Sequence, residues 1–201
     1  MSDIREIFKT FEPDIQKYKS EKHIEIEFRI GKVNMGKFDT DVGEESFDRL
    51  MKGLRKYEKW EKVTSSEKTV YFYDNNVRLS IDEDDDTEEC IKKNKLIKND
   101  IIIKDTPFDV RMCVSKELPH PSLNEDEISS YVRHKKRTSF VRKNLSIDMT
   151  IVSGDPEDLD DELLESYEVE LEICHPEKIM NENELFNIIH KIQDVMNVLK
   201  K

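Results

Sequence analysis

Apolar and charged residues alternate without a break along residues 23–32, HIEIEFRIGK. Ile24, Ile26, Phe28 and Ile30 share one parity, and Glu25, Glu27 and Arg29 share the other. A period of two belongs to a β-strand, whose successive side chains point to opposite faces. Residues 167–173, YEVELEI, repeat the pattern, with Glu168, Glu170 and Glu172 against Tyr167, Val169, Leu171 and Ile173. Between them, strands are predicted at 68–74, 76–82, 89–96, 100–104, 108–118, 131–142 and 145–152. Asp74-Asn75-Asn76 and Lys143-Asn144 read as hairpin turns, because Asn and Asp tolerate positive φ.

Three segments follow a helical period instead. The first twenty residues carry Ile4, Ile7, Phe8 and Phe11 on one face until Pro13 interrupts. Residues 44–59 place Phe47, Leu50, Met51, Leu54 and Tyr57 on one stripe. Residues 182–200 do the same with Leu185, Ile188, Ile189, Ile192, Met196 and Leu199. Asn181 stands at the N-cap and Glu184 at the capping-box position. The expected organisation is one fold over 1–201: an N-terminal helix in 1–20, strands over about 23–174, and a C-terminal helix at about 182–200. Many consecutive strands with few helices predict a mainly β, antiparallel barrel or sandwich.

The charged faces decide what such a barrel could do. Glutamate is a poor strand former, and five glutamates on two strands repel one another if the strands are neighbours. A divalent cation reverses that cost, since hard cations take carboxylate oxygens. The middle strands supply positive charge at the same period. Arg78 shares a face with Ser80. Lys135 shares one with Arg137 and Ser139. Arg111 lies with Asp109, Cys113, Ser115 and Glu117, and Asp148 with Ser146 and Thr150. Carboxylates on some strands and Lys or Arg on others suit a phosphate chain held together with a metal. The barrel would then be inside-out, with a polar lumen and an apolar exterior covered by the helices.

Composition changes the picture in two places. The 201 residues are 39% charged and 36% apolar, a large polar share for a chain this size. Taken alone, the net charge of −12 argues against a polyanionic ligand. Yet the runs DEDDDTEE (82–89) and DPEDLDDELLE (155–165) hold seven acids each and no base. Setting both aside leaves 31 acids against 33 bases, so local charge governs. Both runs are expected to be solvated turns. Cys90, Cys113 and Cys174 are scattered and form neither a disulfide framework nor a zinc site. They point to a reducing, intracellular compartment. The N-terminus lacks a signal-peptide pattern, and no apolar run is long enough to span a membrane. There is no G-x-x-x-x-G-K-[ST] loop and no cysteine in an evident catalytic motif. Trp60 and the Phe and Tyr residues are expected in the core rather than as base-stacking platforms.

E-x-E-x-R on an early strand and E-x-E-x-E on a late one resemble the triphosphate tunnel metalloenzymes. More narrowly, the chain resembles the metal-dependent RNA 5′-triphosphatases of fungal, protozoan and large-DNA-virus mRNA capping, and most of all the compact domains of giant-virus (mimivirus-like) capping enzymes. The resemblance implies an eight-stranded antiparallel tunnel that removes the γ-phosphate of RNA 5′-triphosphate ends and also hydrolyses free NTPs. It implies Mg²⁺ or Mn²⁺ held by Glu25, Glu27, Glu170 and Glu172. VRLS supplies Arg78, and IKKNK supplies Lys92, with Lys93 second. FDVRMCVSKELP supplies Glu117, KKRTSF supplies Lys135 and Arg137, and SIDMT supplies Asp148 and Thr150. Ser146 stands where relatives usually carry Arg, and Arg142 is the candidate substitute. Arg29 and Arg111 complete the expected phosphate contacts, and Glu117 or Glu168 the orientation of water. A guanylyltransferase, fused downstream or separate, is the implied partner. The implied location is the nucleus for a cellular protein, or the host cytoplasm or virion for a viral one. Three rival readings stand beside this one: a tripolyphosphate or thiamine triphosphate hydrolase, whose relatives more often show E-x-E-x-K; a non-catalytic polyanion-binding barrel; and an interaction sandwich with solvated glutamates.

Overall fold

The computed structural model describes residues 4–104, 106–121, 123, 127–154 and 165–200. In chain order the elements are α1 (Ile4–Tyr18), β1 (Ile24–Asn34), β2 (Lys37–Asp39), α2 (Glu44–Lys56), β3 (Lys62–Phe72), β4 (Val77–Asp82), β5 (Glu88–Ile101), β6 (Asp109–Pro119), β7 (Tyr131–Arg142), β8 (Leu145–Ser153), β9 (Ser166–Ile173) and α3 (Glu182–Leu199). The strands are antiparallel in the order β2-β1-β6-β5-β4-β3-β7-β8-β9, and β1 also pairs with β9. That last pairing closes eight strands into a barrel and leaves β2 as a short extra strand on β1. Closure removes the unpaired edges of an open sheet.

The apolar parity of each strand forms the outer wall. Ile26, Phe28 and Ile30 of β1, Val110, Met112 and Val114 of β6, and Val169, Leu171 and Ile173 of β9 are buried beneath the helices. Phe11 of α1 meets Phe28 at 5.6 Å between ring centroids, and Phe47 of α2 meets Tyr167 at 5.3 Å. The core therefore lies between barrel and helices, which leaves the other face of every strand for the lumen.

Local chemistry explains the turns. Met35 and Gly36 have φ of 47° and 79°. At Gly31 a Cβ would meet the Asp39 carbonyl at 2.1 Å, so only glycine lets β2 fold back this closely. Lys143 takes φ 53° in the β7–β8 hairpin, and Asn75 and Asn76 take 60° and 64° between β3 and β4. The Asn181 side chain accepts the Glu184 N–H at 3.0 Å, while the Glu184 carboxylate accepts from Met180 N–H, one residue before the expected box.

Four expectations are corrected. Helix α1 runs through Pro13. Burial of Phe11 and Ile15 on either side holds a helix that loses one backbone bond at the proline. The segments expected as 89–96 and 100–104 are one strand, β5, with a bulge between Lys95 and Ile97. Helix α2 ends at Lys56, where Tyr57 turns extended. The acidic run 82–89 spans the exposed β4–β5 turn, 83–87, and the strand ends beside it, Asp82 of β4 and Glu88 and Glu89 of β5, so the expected solvated turn is shorter than the run; Asp84 N–H donates to Asp82 and Thr87 N–H to Asp85. The run 155–165 lies outside the described residues except for Glu165.

Candidate active site

Alternation carries Glu25, Glu27 and Arg29 of β1 into the lumen, and pairing fixes what they face. Glu27 lies opposite Glu172 and Arg29 opposite Glu170 across the β1–β9 seam. On β8, Ser146, Asp148 and Thr150 lie opposite Glu172, Glu170 and Glu168. Arg137 and Ser139 of β7 lie opposite Thr150 and Asp148. Glu25, Glu27 and Arg29 face Ser115, Cys113 and Arg111 of β6 on their other side.

Glu170 is the hub of this cluster. Arg29 Nη2 forms an ion pair with it at 3.0 Å, and Arg137 Nη2 donates a hydrogen bond to it at 3.0 Å. Arg29 Nε also donates to Glu27 at 2.9 Å. Arg137 Nε donates to Thr150 at 3.0 Å, and its Nη1 lies 3.6 Å from Asp148. Ser146 donates to Asp148 at 2.6 Å. Burial alone would raise the Glu170 pKa, but Arg29 and Arg137, with Lys135 and Lys93, outweigh it and hold the carboxyl well below the usual range.

Glu172 and Glu25 behave oppositely. Burial and then Asp148 push Glu172 up to about 7, against the pull of Arg137. Burial and then Glu27 push Glu25 up, although Lys93 hydrogen-bonds it. Lys93 also pairs with Glu117 at 2.9 Å. Burial lowers the Lys93 pKa, but Glu27, Glu25 and Glu117 overcome this and raise it. Lys135 has no ion pair among the described residues; burial in the lumen lowers it to about 8 against the opposing pull of Glu170 and Glu168.

The lumen thus brings together Glu25, Glu27, Arg29, Glu117, Lys135, Arg137, Asp148, Thr150, Glu168, Glu170 and Glu172, with Arg78 on β4. Glu168 accepts a bond from Thr40 at 2.9 Å. Three candidates are placed differently. Lys92 lies opposite Val77 and Leu118, on the face of β5 turned away from Lys93, so Lys93 is the lumen lysine. Arg142 is opposite Leu145 on the outer face, with its guanidinium 5.2 Å from the Tyr57 ring, so it cannot stand in at Ser146. Arg111 shares the lumen parity but is clamped by Asp100 at 2.6 and 2.8 Å beneath Phe38.

Lys95 and Lys98 are lumen cations that the sequence reading missed. Lys95 lies opposite Ser115, and Lys98 lies opposite Cys113 beyond the bulge. The extra residue switches the lumen parity of β5 from odd to even, which no alternation rule reveals. Burial, then the charges of Arg29 and Arg78, lower the Lys95 pKa. Phe72, Tyr131 and Arg133 also take the lumen parity, being register partners of Arg78, Phe72 and Val70.

Glu25, Glu27 and Glu172 suit a hard divalent cation, because they offer only oxygen ligands. Burial, and then neighbouring acids, raise Glu25 and Glu172, a cost that a cation placed among them would offset. Among the described residues no three His, Cys, Asp or Glu side chains are placed to grip one ion as they stand. Arg29 and Lys93 occupy Glu27 and Glu25 instead.

A family model described as "mRNA capping enzyme, beta chain" matches residues 35–201. The match begins at the end of β1, so the placement of Glu25 and Glu27 rests on the pairing described above. Among solved structures, the RNA triphosphatase Pct1 of S. pombe is similar with a TM-score of 0.77 at 20% identity, covering 100% of this chain and 93% of that one. The same protein in complex with the Spt5 CTD gives 0.77 at 19%, covering 100% and 92%. The RNA triphosphatase domain of a trifunctional mimivirus mRNA capping enzyme gives 0.65 at 18%, covering 100% of both chains. At such identities the likeness is one of fold. No curated protein matches the chain.

Proposed function

Because the chain belongs to the mRNA capping enzyme beta-chain family, we propose that its lumen removes the γ-phosphate from RNA 5′-triphosphate ends with the help of a divalent cation. The products are a 5′-diphosphate end and inorganic phosphate. The observation that carries this reading is the seam where Glu27 faces Glu172, set against Arg137, Lys135 and Arg78 in one lumen. Free NTPs present the same triphosphate and are accessory substrates.

Each side chain has a part. Arg78 and Lys135, which spend no charge on a carboxylate among the described residues, bind the non-bridging oxygens. Arg137, locked in direction by Thr150 and Glu170, stabilises charge as the γ-phosphoryl leaves. Phosphoryl transfer asks mainly for such positioning and electrostatics. Glu170 orients Arg29 and Arg137 rather than binding metal, since both guanidiniums already hold it. Glu168 orients the attacking water with the oxygen that Thr40 does not hold. Glu25, Glu27 and Glu172 would hold Mg²⁺ or Mn²⁺, which would supply Lewis-acid charge toward the phosphate.

A guanylyltransferase, fused or separate, would take the diphosphate end onward. The free thiols of Cys90, Cys113 and Cys174 fit work in a reducing compartment, the nucleus or, for a viral protein, the host cytoplasm or virion. The test is phosphate release from γ-labelled triphosphate RNA, with and without chelator, in wild type and Glu27→Ala. Metal-dependent release lost in a folded variant is expected; near-normal release from Glu27→Ala sinks the assignment.

A further inference from the structure

One mouth of the tunnel is lined by an aromatic pair that phosphate chemistry leaves unused. Phe72 ends β3 and Tyr131 begins β7. The two are register partners, with ring centroids 4.3 Å apart and planes 15° from parallel. The Arg78 guanidinium lies 5.0 Å from the Phe72 centroid. The Arg133 guanidinium lies 5.9 Å from Phe72 and 5.7 Å from Tyr131. All four belong to the lumen parity: Phe72 pairs with Arg78, and Tyr131 and Arg133 precede Lys135 and Arg137 at steps of two.

Arg78 and Arg133 differ from the other arginines of the lumen in how their polar atoms are used. Arg29, Lys93, Arg111 and Arg137 are all tied to carboxylates. Arg78 and Arg133 make no ion pair among the described residues. The Arg133 Nε is buried and has no hydrogen-bond partner. A buried N–H without an acceptor is costly, and an acceptor brought by a ligand satisfies it. Stacked rings edged by guanidiniums form a planar surface that a nucleobase can join, and such stacking tolerates any base because every base has a π-face.

Resting on the triphosphatase reading, we infer that this mouth binds the first nucleoside of the substrate. Its base stacks on the Tyr131–Phe72 and Arg133 layer, and Arg78 reaches from that layer to the adjoining phosphate. The site therefore recognises a nucleoside attached to a triphosphate, not a bare polyphosphate. The aromatic residues of this mouth do more than fill a core.

The experiment compares kcat/KM for ATP, a short triphosphate RNA and inorganic tripolyphosphate in wild type, Tyr131→Leu, Tyr131→Phe and Arg133→Gln. Tyr131→Leu and Arg133→Gln should lower the ATP-to-tripolyphosphate ratio by about 5- to 150-fold, the value of one stacked base. Tyr131→Phe should keep the ratio. Equal losses on both substrates, or an unchanged ratio in Tyr131→Leu, would overturn the inference. Calorimetry in chelator gives a readout without turnover: wild type should bind ATP more tightly than tripolyphosphate, and Tyr131→Leu should lose that preference. A protein that shows the preference but hydrolyses nothing would refute the triphosphatase reading and leave the nucleoside site standing. A hydrolase without the preference would do the reverse.

Discussion

Glu27 and Glu172 are direct neighbours across the β1–β9 seam that closes the barrel. Two like charges so placed destabilise a sheet unless a cation joins them. Removing one should therefore act in opposite directions on stability and activity. Glu172→Gln is expected to raise the Tm of the metal-free protein and to lower phosphate release by about 100-fold or more. Thermal unfolding in chelator and a phosphate-release assay check both halves, and a variant that unfolds earlier yet keeps its rate contradicts the metal role.

The same acids set a pH dependence. Glu172 has its folded pKa raised from 4.5 to about 7. Its contribution to stability is full below pH 4.5 and is lost as pH rises through 7. Lys135 has its folded pKa lowered from 10.5 to about 8, so its contribution is present above 10.5 and is lost as pH falls through 8. The metal-free protein should then be least stable between about pH 7 and 8. Glu172→Gln should make the acid limb of that trough shallower, because Glu25, whose carboxyl is also raised, keeps its share, and Lys135→Met should remove the alkaline limb. Mn²⁺ should lift the trough by taking the place of the proton. A Tm scan from pH 5 to 10.5 reads all three.

Lys93 and Lys92 are neighbours in sequence with opposite fates. Lys93→Ala strands Glu25 and Glu117 without a cation. Loss of one partner of a buried pair costs ~3–5 kcal/mol, and the lower end applies because Glu117 is 31% exposed. A fall in Tm of roughly 6–12 °C is expected at this chain length. Lys92→Ala should stay within about 0.5 kcal/mol of wild type. Equal effects of the two would mean that the β4–β5 register is wrong.

Arg78, Lys135 and Arg137 should act on rate. Each charge-assisted contact is worth ~1.5–3 kcal/mol, so each alanine variant should lose about 10- to 150-fold in kcat/KM if the contact is made in the transition state. Replacing Asp84, Asp85 and Asp86 with Ser should leave NTP hydrolysis within a few-fold, because these exposed turn charges are screened beyond about 8–10 Å. Steady-state kinetics on the four proteins separates lumen from turn.

Strict alternation made β1 and β9 legible, because each strand has one face in oil and one in the lumen. It could not choose between Lys92 and Lys93, which occupy both parities; only the pairing of β5 with β4 and β6 decides. It split β5 at Leu96 because the bulge there changes the parity of everything after it. Arg142 shares the parity of Ser146 by count, yet the two-residue hairpin makes Leu145 its cross-strand partner. Phe72 is buried, as expected of the aromatic residues, but it and Tyr131 stand on the lumen parity, and an aromatic residue on that face carries no sequence signal distinguishing it from one on the outer face.

The seam also constrains how the protein is made. Its two halves stand near opposite ends of the chain, at residues 27 and 172. As the polypeptide leaves the ribosome, β1 can zip with β6 through its other edge, but the remaining edge must wait for the last strand. Contacts so distant in sequence slow folding, because loop-closure entropy is lost before they form. The glutamates of β1 keep that waiting edge soluble during synthesis, in the same way that charge guards an exposed edge in a finished sheet. The glutamates that line the lumen of the mature barrel thus also protect the nascent one from pairing with a stranger.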